Sequence, residues 1–369
     1  MSNFSLQLPI NSTSLGQCST NILYEVYTRG LKPNIFPIGG IDLSSFDGLL
    51  DEGFSYWLRE CIDKAIGEYK KSEPSLRLWH LNGSQETISK YNFLYSFIEL
   101  DNVTPTEKNI ISNHEKVFFP CDYNVNICKR SGCENVEKIP LGFNYLAFKE
   151  VKAPKYKNGE IVIGVVGKLE KRKNHPKVIK ILSEKYGNRS DIKIHLHVYN
   201  PFLDQQNPQR CAQINQGLIT QYCGGQIPYN FNIYGFFPKL SELNQSYNIM
   251  DIIVDGSGGE SFSLPSFSVA ALGKQSVIHY NSGMKEWAND KNSFLVEPNG
   301  KIPAADGLFF PKEGKFNIGN IYDFSEEEMA EKIDEAIKAI KGGKKNEEGK
   351  KLQSQFTWKN SCDKLLNNL

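Results

Sequence analysis

The most informative stretch of the chain is Gly256-Ser257-Gly258-Gly259-Glu260-Ser261-Phe262-Ser263-Leu264-Pro265. The preceding run, residues 251–254, is short, β-branched and apolar, which predicts a buried strand. The glycines favour a sharp backbone turn, and Ser263 followed by Pro265 is typical of a helix start. Glu260 is therefore expected at the mouth of a helix N-terminus. That position offers free amide hydrogens to a phosphate and a carboxylate to ligand hydroxyls, and a sugar diphosphate has both groups.

The length and the charge of the chain limit its fold classes and partners. A chain of 369 residues usually forms two domains, and the 40% apolar content is enough for two cores. The 43 Lys and Arg nearly balance the 42 Asp and Glu, so net charge does not indicate a nucleic-acid partner, although it does not exclude one. The sequence contains no apolar window of about 18 residues and no signal-peptide pattern at its start. We expect a cytoplasmic protein without a transmembrane segment.

The eight cysteines are scattered and include no Cys-x-x-Cys pair. The nearest approach to a cluster is Cys121, Cys128 and Cys133, with His114 before them, and this spacing matches no common zinc module. We therefore expect free thiols and no metal site.

Strand and helix patterns alternate along the second half. Strands are predicted at residues 161–166, 192–198, 231–234, 251–254 and 276–279, with helices at 176–186, at 240–248 and after Pro265. Strands separated by helices imply crossover connections and a parallel sheet. The first half opens in a similar way, with a strand at 4–8, a polar turn at 11–17 and a helix to about Tyr27.

The predicted fold class is therefore α/β, with two doubly wound domains. Residues 147–160 are rich in lysine and poor in apolar residues, as in an exposed linker, and residues 341–348 form a second break. We predict an N-terminal domain at 1–150, a C-terminal domain at 151–345 and a closing helical segment at 346–369.

A series of short motifs resembles one family of enzymes. In order along the chain they are Gly167-Lys168-Leu169, Lys173, Glu260, Ala271, Gly273, Val277 and Gly283-Met284-Lys285-Glu286. They are similar to the motifs of GT-B glycosyltransferases, in particular glycosyltransferase family 4, with Lys168 in place of an arginine. Residues 119–124, 131–133, 139–144 and 356–358 resemble the end of the family's first domain and its closing helix. The departures are Ser268 in place of the second glutamate, Val269 in place of an alanine, Gln275 in place of a proline and Ser276 in place of a valine.

The resemblance implies a GT-B fold, in which two Rossmann-like domains face a cleft. The first domain would bind the acceptor and the second the nucleotide sugar, and the closing helix would pack back on the first domain. It also implies a retaining hexosyltransferase that uses a UDP- or GDP-sugar as co-substrate and needs no other cofactor. The chain contains no Asp-x-Asp, the usual metal-ligand pair of the other large glycosyltransferase fold, so we expect no metal requirement.

The candidate site residues follow from these motifs. Fixed cations beside a leaving diphosphate lower the barrier to sugar transfer, and the catalytic candidates are Lys168, Lys173 and Glu260. The donor-binding candidates are Gly16, Gln17, Ser261, Phe262, Ser263, Leu264, Ser268 and Phe237. Gly16 lies at a strand-to-helix turn, where a glycine fits close backbone approach by a ligand. The acceptor candidates are His80 and Asn82, after an apolar run in the first half.

Several residues have a structural interpretation beside the functional one. Residues 171–173 are also typical of a solvated basic turn, and Glu260 of a charge at a helix start. His80 is equally typical of a structural histidine, and the pair Phe236-Phe237 of core packing as much as of a nucleobase platform. His195 and His197 share one face of a strand and are expected to be structural.

Two function classes stay open. The first is the transferase described above, acting on a glycan, a lipid, a protein or a modified nucleobase. The second, prompted by Ser268, is a sugar-nucleotide-binding or scaffold protein that has the same fold and little catalytic activity. A dinucleotide-dependent oxidoreductase is disfavoured because no Gly-x-Gly-x-x-Gly follows a strand.

Overall fold

The computed structural model describes residues 3–154, 156 and 158–369. Of the expected linker, Lys155 and Lys157 lie outside the described residues. The first half contains a six-stranded, fully parallel sheet in the order β2-β1-β3-β4-β5-β6. Its elements are β1 Ser5–Leu8, α1 Ser14–Thr28, β2 Asn34–Pro37, a 3₁₀ turn Ser44–Phe46, α2 Glu52–Glu68, β3 Ser75–Leu78, β4 Asn92–Tyr95, α3 Pro105–Ser112, β5 Lys116–Phe119, α4 Asp122–Arg130 and β6 Val136–Lys138.

The second half contains another six-stranded parallel sheet, in the order β12-β11-β10-β7-β8-β9. Its elements are β7 Ile161–Gly167, a 3₁₀ turn Lys171–Lys173, α5 His175–Tyr186, β8 Ile192–Val198, α6 Pro208–Tyr222, β9 Phe231–Ile233, α7 Leu240–Ile249, β10 Ile252–Asp255, α8 Leu264–Ala271, β11 Gln275–His279, a 3₁₀ turn Ser282–Glu286 and β12 Phe294–Val296. An antiparallel pair follows, β13 Pro298–Pro303 and β14 Asn320–Phe324. The chain closes with α9 Glu326–Lys341, α10 Glu347–Gln355 and α11 Trp358–Asn368.

The predicted α/β class and the parallel sheets are confirmed, and the strand predictions agree with the structure to within a residue or two. The central strands are buried along nearly their whole length, because helices cover both faces of each sheet. At Gly164 of β7 the space is taken by Met250, whose sulfur lies 2.3 Å from the place of an added Cβ. A side chain at this position would therefore separate β7 from the segment that enters β10.

Each sheet has one point where the strand order reverses. In the first sheet it lies between β1 and β3, and in the second between β10 and β7. At such a point the loops after the two neighbouring strands leave in opposite directions and open a crevice at the carboxyl ends of the strands, where α/β proteins bind their ligands. The loops after β7 and β10 are the ones that carry Lys168, Lys173 and Glu260.

The end of the chain packs against the first half. Arg29 of α1 donates to Asp363 of α11 across 2.6 Å. The backbone at Phe143 forms a parallel bridge with Thr357, and an added Cβ on Gly142 would lie only 2.2 Å from the nitrogen of Trp358. A glycine is therefore required where the start of α11 meets the first half.

Two further expectations concern the state of the cysteines and the presence of a membrane-spanning helix. All eight cysteines are free thiols, and seven of them are buried. In the described part of the chain, no helix combines the length and the apolar character that crossing a membrane requires.

Candidate active site

The loop between β10 and α8 is organised by the carboxylate of Asp255. Asp255 accepts hydrogen bonds from the backbone N–H of Ser257 at 2.9 Å and from the hydroxyl of Ser263 at 2.7 Å, and Ser266 also donates to it. Burial alone would raise the pKa of Asp255, but the positive charge of Lys173 and these hydrogen bonds lower it. The carboxylate is therefore ionised and holds the loop to the first turn of α8.

The turn is made differently from the sequence expectation. Ser263 stands at the N-cap position of α8, as predicted, but its backbone is left-handed with φ of 61° and its hydroxyl binds Asp255 instead of capping the helix. Gly258 and Gly259 serve close packing: an added Cβ would lie 2.4 Å from the carbonyl oxygen of Tyr322 or 2.1 Å from that of Glu99. The glycines thus let two other segments approach the loop.

Glu260 is buried, with 6% of its surface exposed. Its carboxylate accepts a hydrogen bond from Arg172 at 2.8 Å and is paired with Lys173. Its backbone is fixed as well, because its N–H donates to the hydroxyl of Ser282 at 2.9 Å and its carbonyl accepts from Gly283 at 2.8 Å. Both cations contact the same carboxylate oxygen, Oε1, so Glu260 is a member of a buried ion pair and not only a charge at a helix start.

Arg172 and Lys173 lie in the 3₁₀ turn after β7, and both are buried. The interpretation of residues 171–173 as a solvated basic turn is therefore wrong for these two residues. Besides Glu260, Arg172 binds Glu170 at 2.7 Å and Glu99 at 3.1 Å. Burial would lower the pKa of Arg172, but the three carboxylates together raise it above its ordinary value.

Lys168 lies at the far end of the same ionic network. Its ammonium is 2.9 Å from Glu170 and 3.6 Å from the ring centre of Phe309. The network therefore runs from Lys168 through Glu170, Arg172 and Glu260 to Lys173. The structure joins the three catalytic candidates in one cluster, with Lys173 on Glu260 and Lys168 at the rim.

The first half contributes Glu99 and His80 to this region. His80 is solvent-accessible in a small recess that it shares with Phe97, Glu99 and Asn317. Loss of solvation lowers the pKa of His80, the charge of Glu99 opposes this, and the charges of Lys168 and Arg172 reinforce it. Asn82 is exposed nearby in sequence, beyond Leu81.

The remaining donor candidates of the β10–α8 loop are mostly occupied by the protein. The hydroxyl of Ser261 donates to the carbonyl of Ile98 at 2.7 Å, which ties this loop to the first half. Phe262 packs in the core against Phe267, with ring centres 5.0 Å apart. Leu264 begins α8, so its N–H is one of the helix donors without an intrahelical partner. Ser268 lies inside α8 and is 2% exposed.

Gly16 and Gln17 lie in the first turn of α1. The backbone that approaches Gly16 is the chain's own: an added Cβ would lie 2.0 Å from the carbonyl oxygen of Asn11. Packing against Asn11 therefore explains the glycine at position 16 without a ligand. Gln17 is half-buried, and its backbone N–H donates to Thr13 at 2.9 Å.

Solved structures with a similar fold match the chain along its whole length. Sucrose-phosphate synthase from Thermosynechococcus elongatus has a TM-score of 0.69 at 13% identity, with 100% of this chain and 98% of that chain covered. A glycosyltransferase from Rickettsia africae has 0.63 at 16% identity, with 100% and 97% covered. Anabaena HepE in complex with UDP and glucose has 0.63 at 13% identity, with 100% and 99% covered. Protein-family models and curated sequences give no match.

The chain has the GT-B fold. The predicted fold class is thereby confirmed. In GT-B terms the ionic network lies at the reversal point of the second sheet, and Glu99 reaches it from the first half. Among the described residues, no group of three or more His, Cys, Asp or Glu side chains could hold a metal ion.

An aromatic group lies at the ends of β8 and β9 in this GT-B structure. The ring of His197 stacks on Tyr234 at 4.4 Å and on Phe237 at 5.0 Å, while Phe236 is 60% exposed. His195 and His197 are buried, and burial lowers the pKa of His195 to about 4 and that of His197 to about 3. Both are neutral packing groups, as expected, and Phe237 belongs to the same stack.

Glu286, quoted in the sequence motif, joins the two halves. Its carboxylate is 2.8 Å from the ammonium of Lys138 and accepts a hydrogen bond from the backbone of Asp122 at 3.2 Å, at the start of α4. Glu286 therefore contacts the first half directly.

Three site residues were missed by the sequence reasoning: Arg172, Asp255 and Glu99. A sign of Arg172 was present in the sequence, because this residue lies in the basic turn beside Lys173. The sequence did not show which side chains of that turn point inward. Asp255 ends the apolar strand β10, where an acidic residue next to serines is a signal for a loop organiser. No sequence pattern indicated Glu99, because its contact with Arg172 depends on how the two halves pack together.

Proposed function

We propose that this protein is a retaining, metal-independent glycosyltransferase. It moves a hexose-type sugar from a UDP- or GDP-sugar to an acceptor of the glycan, lipid, protein or modified-nucleobase class. The observation that carries the proposal is the buried set of Arg172, Lys173 and Glu260 at the reversal point of a GT-B second sheet. The binding of UDP and glucose by HepE, a protein of similar fold, supports the donor class.

The proposal divides the chain as the sequence suggests. Residues 1–150 form the acceptor domain, residues 151–345 the donor domain, and residues 346–369 a segment that returns to the acceptor domain. The contact between Arg29 and Asp363 supports the last assignment. We further propose that the protein acts in the cytoplasm.

The donor's diphosphate lies between the start of α8 and the cations after β7. Lys168 and Lys173 stabilise the negative charge that grows on the diphosphate as the bond between the sugar and the phosphate oxygen breaks. The helix N-terminus at Leu264 adds its free amide hydrogens. Lys173 exchanges its contact with Glu260 for a phosphate oxygen when the donor binds, while Arg172 keeps the carboxylate in place.

Glu260 accepts hydrogen bonds from the donor sugar's hydroxyls. The acceptor oxygen attacks the anomeric carbon from the face that the diphosphate leaves, and its proton passes to a diphosphate oxygen, so the anomeric configuration is kept. His80 lies on the first-half side, where it positions the acceptor. This route uses no carboxylate nucleophile and no metal.

The test is release of UDP or GDP from a panel of nucleotide sugars, with and without EDTA. The wild-type protein is expected to release one nucleotide at a rate that EDTA does not change. Glu260→Gln preserves the shape of the side chain and is expected to reduce release by about 10²–10³-fold. Equal rates in wild type and Glu260→Gln would contradict the role of Glu260.

The alternative, a sugar-nucleotide-binding or scaffold protein, is favoured by one observation. Ser268 stands where the resembled family has its second glutamate, and it is buried inside α8. A serine makes fewer hydrogen bonds to a ribose than a carboxylate does. Tight nucleotide binding without turnover on any acceptor would support the alternative, whereas slow donor hydrolysis that Glu260→Ala abolishes would support the transferase.

A further inference from the structure

The connection between β12 and α9 is long and reaches over the candidate donor site. It contains β13, β14 and the intervening residues 304–319. We refer to residues 298–324 as the strap. The strap belongs to the second half by sequence, yet it contacts the first half as well as the loops after β7 and β10.

Several anchors hold the strap to the first half, among them Asp101 and Thr104. Asp101 is 2.9 Å from the ammonium of Lys301 and accepts the backbone N–H of Asn320 at 2.8 Å. The hydroxyl of Thr104 donates to the carbonyl of Lys315 at 2.6 Å. These contacts lie within β13, at the start of β14 and near the end of the loop that joins them.

The other side of the strap lies on the donor loops. The backbone N–H of Tyr322 donates to the carbonyl of Gly258 at 2.7 Å, two residues before Glu260. Lys171 donates to the carbonyl of Pro303 at 2.7 Å. The strap therefore bridges the loop after β10, the turn after β7 and the first half at once.

The tip of the strap has a defined shape. The carboxylate of Asp306 accepts the backbone N–H groups of Leu308 at 2.8 Å and of Phe309 and Phe310 at 2.9 Å. These bonds fix the direction of the two phenylalanines. Phe310 is buried with Leu100, and Phe309 lies over the ammonium of Lys168.

We propose that the strap is a lid that inhibits donor binding until its tip moves, with Phe309 covering the face of Lys168 that a nucleotide diphosphate must reach. This inference rests on the proposed function, because it names Lys168 as a diphosphate ligand. The ammonium already contacts the ring and the Glu170 carboxylate. The Lys168 side chain is 31% exposed, and a phosphate oxygen that approaches the ammonium from the face covered by Phe309 requires the ring to leave.

The anchors couple the lid to the two halves. Because Phe310 at the tip is buried with Leu100 of the first half, a movement of the tip that frees Lys168 also loosens this contact between the halves. The closed strap is therefore the resting state. To bind, the donor has to break the cation–π contact between Lys168 and Phe309, which lowers its affinity.

The test compares Phe309→Ala with Leu308→Ala, its neighbour at the same tip, which is 50% exposed. Calorimetric titration with UDP and with UDP-glucose measures the affinity of each variant and of the wild type. Phe309→Ala is expected to bind about two- to fivefold more tightly, the effect of removing a partly exposed cation–π contact. Leu308→Ala is expected to match the wild type.

Unchanged or weaker binding in Phe309→Ala, with UDP bound by the wild type, would overturn the lid and leave the proposed function standing. Absence of binding by the wild type and by both variants would overturn the proposed function, and the lid with it. Hydrogen exchange of the unmodified protein gives a second measurement. Exchange in residues 306–310 is expected to rise when UDP binds, and slower or unchanged exchange would contradict the lid.

Discussion

Each sheet has one buried arginine close to its point of reversal, and the two differ in their partners. Arg77 in β3 of the first sheet is 8% exposed. It donates to the neutral amide oxygen of Gln7, its partner on the neighbouring strand β1, at 2.9 Å. Arg172 after β7 is 5% exposed and contacts three carboxylates. Burial lowers the pKa of Arg77, whereas the carboxylates raise that of Arg172.

The hydrogen bond from Arg77 to Gln7 joins β3 to β1, and among the described residues no carboxylate is paired with its guanidinium. Arg172, by contrast, lies within a network of acids and lysines that keeps several charges in place. Under the proposed function, Arg77 therefore only joins two strands, whereas Arg172 holds the charged groups of the donor side.

The largest expected effect is on stability, in Arg172→Met. Removing the guanidinium leaves the carboxylates of Glu260, Glu170 and Glu99 without their shared cation, so the free energy of unfolding is expected to fall by about 3–5 kcal/mol. Arg77→Met is the matched control and is expected to cost about 1–3 kcal/mol, because only a neutral partner loses its bond. Urea unfolding of both variants measures the difference. Equal losses would remove the distinction between the two arginines.

A similarly large effect is expected on catalysis, in Lys173→Met. The loss of a cation beside the leaving diphosphate is expected to reduce turnover of the donor by about 10²–10³-fold. Lys180→Met removes an exposed lysine from α5 and is expected to leave turnover unchanged. The rate of nucleotide release is the measurement. Comparable rates in the two variants would show that Lys173 takes no part in charge stabilisation.

An effect of intermediate size is expected from acid on the aromatic stack of the second sheet. Burial lowers the pKa of His197 from 6.5 to about 3 in the folded protein. Between these values the unfolded chain binds more protons than the folded one, so stability falls as the pH falls. His197→Phe keeps a ring against Tyr234 and removes the titration. Its unfolding free energy is expected to depend less on pH by up to about 1.4 kcal/mol per pH unit. The slope of the unfolding free energy against pH is compared between roughly pH 6 and pH 4, where an unfolded His gains its proton. The same slope in His197→Phe and in the wild type would contradict a neutral His197.

The smallest effect is expected on the first-half side, in His80→Ala. One hydrogen bond to an acceptor accounts for about a three- to tenfold change in affinity, so KM for the acceptor is expected to rise by that factor. The affinity for UDP is expected to stay the same, because the role proposed for His80 is in acceptor binding. Separate titrations with donor and with acceptor distinguish the two. A loss of UDP affinity equal to the loss for the acceptor would place His80 on the donor side.

The sequence predicted the second half better than the site within it. The apolar runs at β7, β8 and β10 are buried on both faces of a parallel sheet, so their periodicity and length were enough to place them. The loop around Glu260 was located because Pro265 and the glycines mark a strand-to-helix turn. Its internal order was not predictable, because the left-handed residue is Ser263 and the organiser is Asp255, and both follow from tertiary contacts.

The contacts between the two halves could not be predicted from the sequence, for a physical reason. The bond from Ser261 to Ile98 and the ion pair between Glu99 and Arg172 join residues far apart in the chain, and no local pattern encodes such distances. The strap was missed for the same reason. Its residues have a turn-rich composition that favours an exposed loop, whereas Phe310 is buried against the first half.

Under the proposed function, the charged crevice of the second sheet binds a nucleotide sugar. The most direct measurement is the shift in melting temperature with UDP, GDP, ADP and CMP sugars, with and without EDTA, on the wild type and on Lys173→Met. We predict a clear rise with one UDP- or GDP-sugar that EDTA does not reduce and that Lys173→Met loses. No rise with any of these sugars would contradict the claim and favour a scaffold role for the fold.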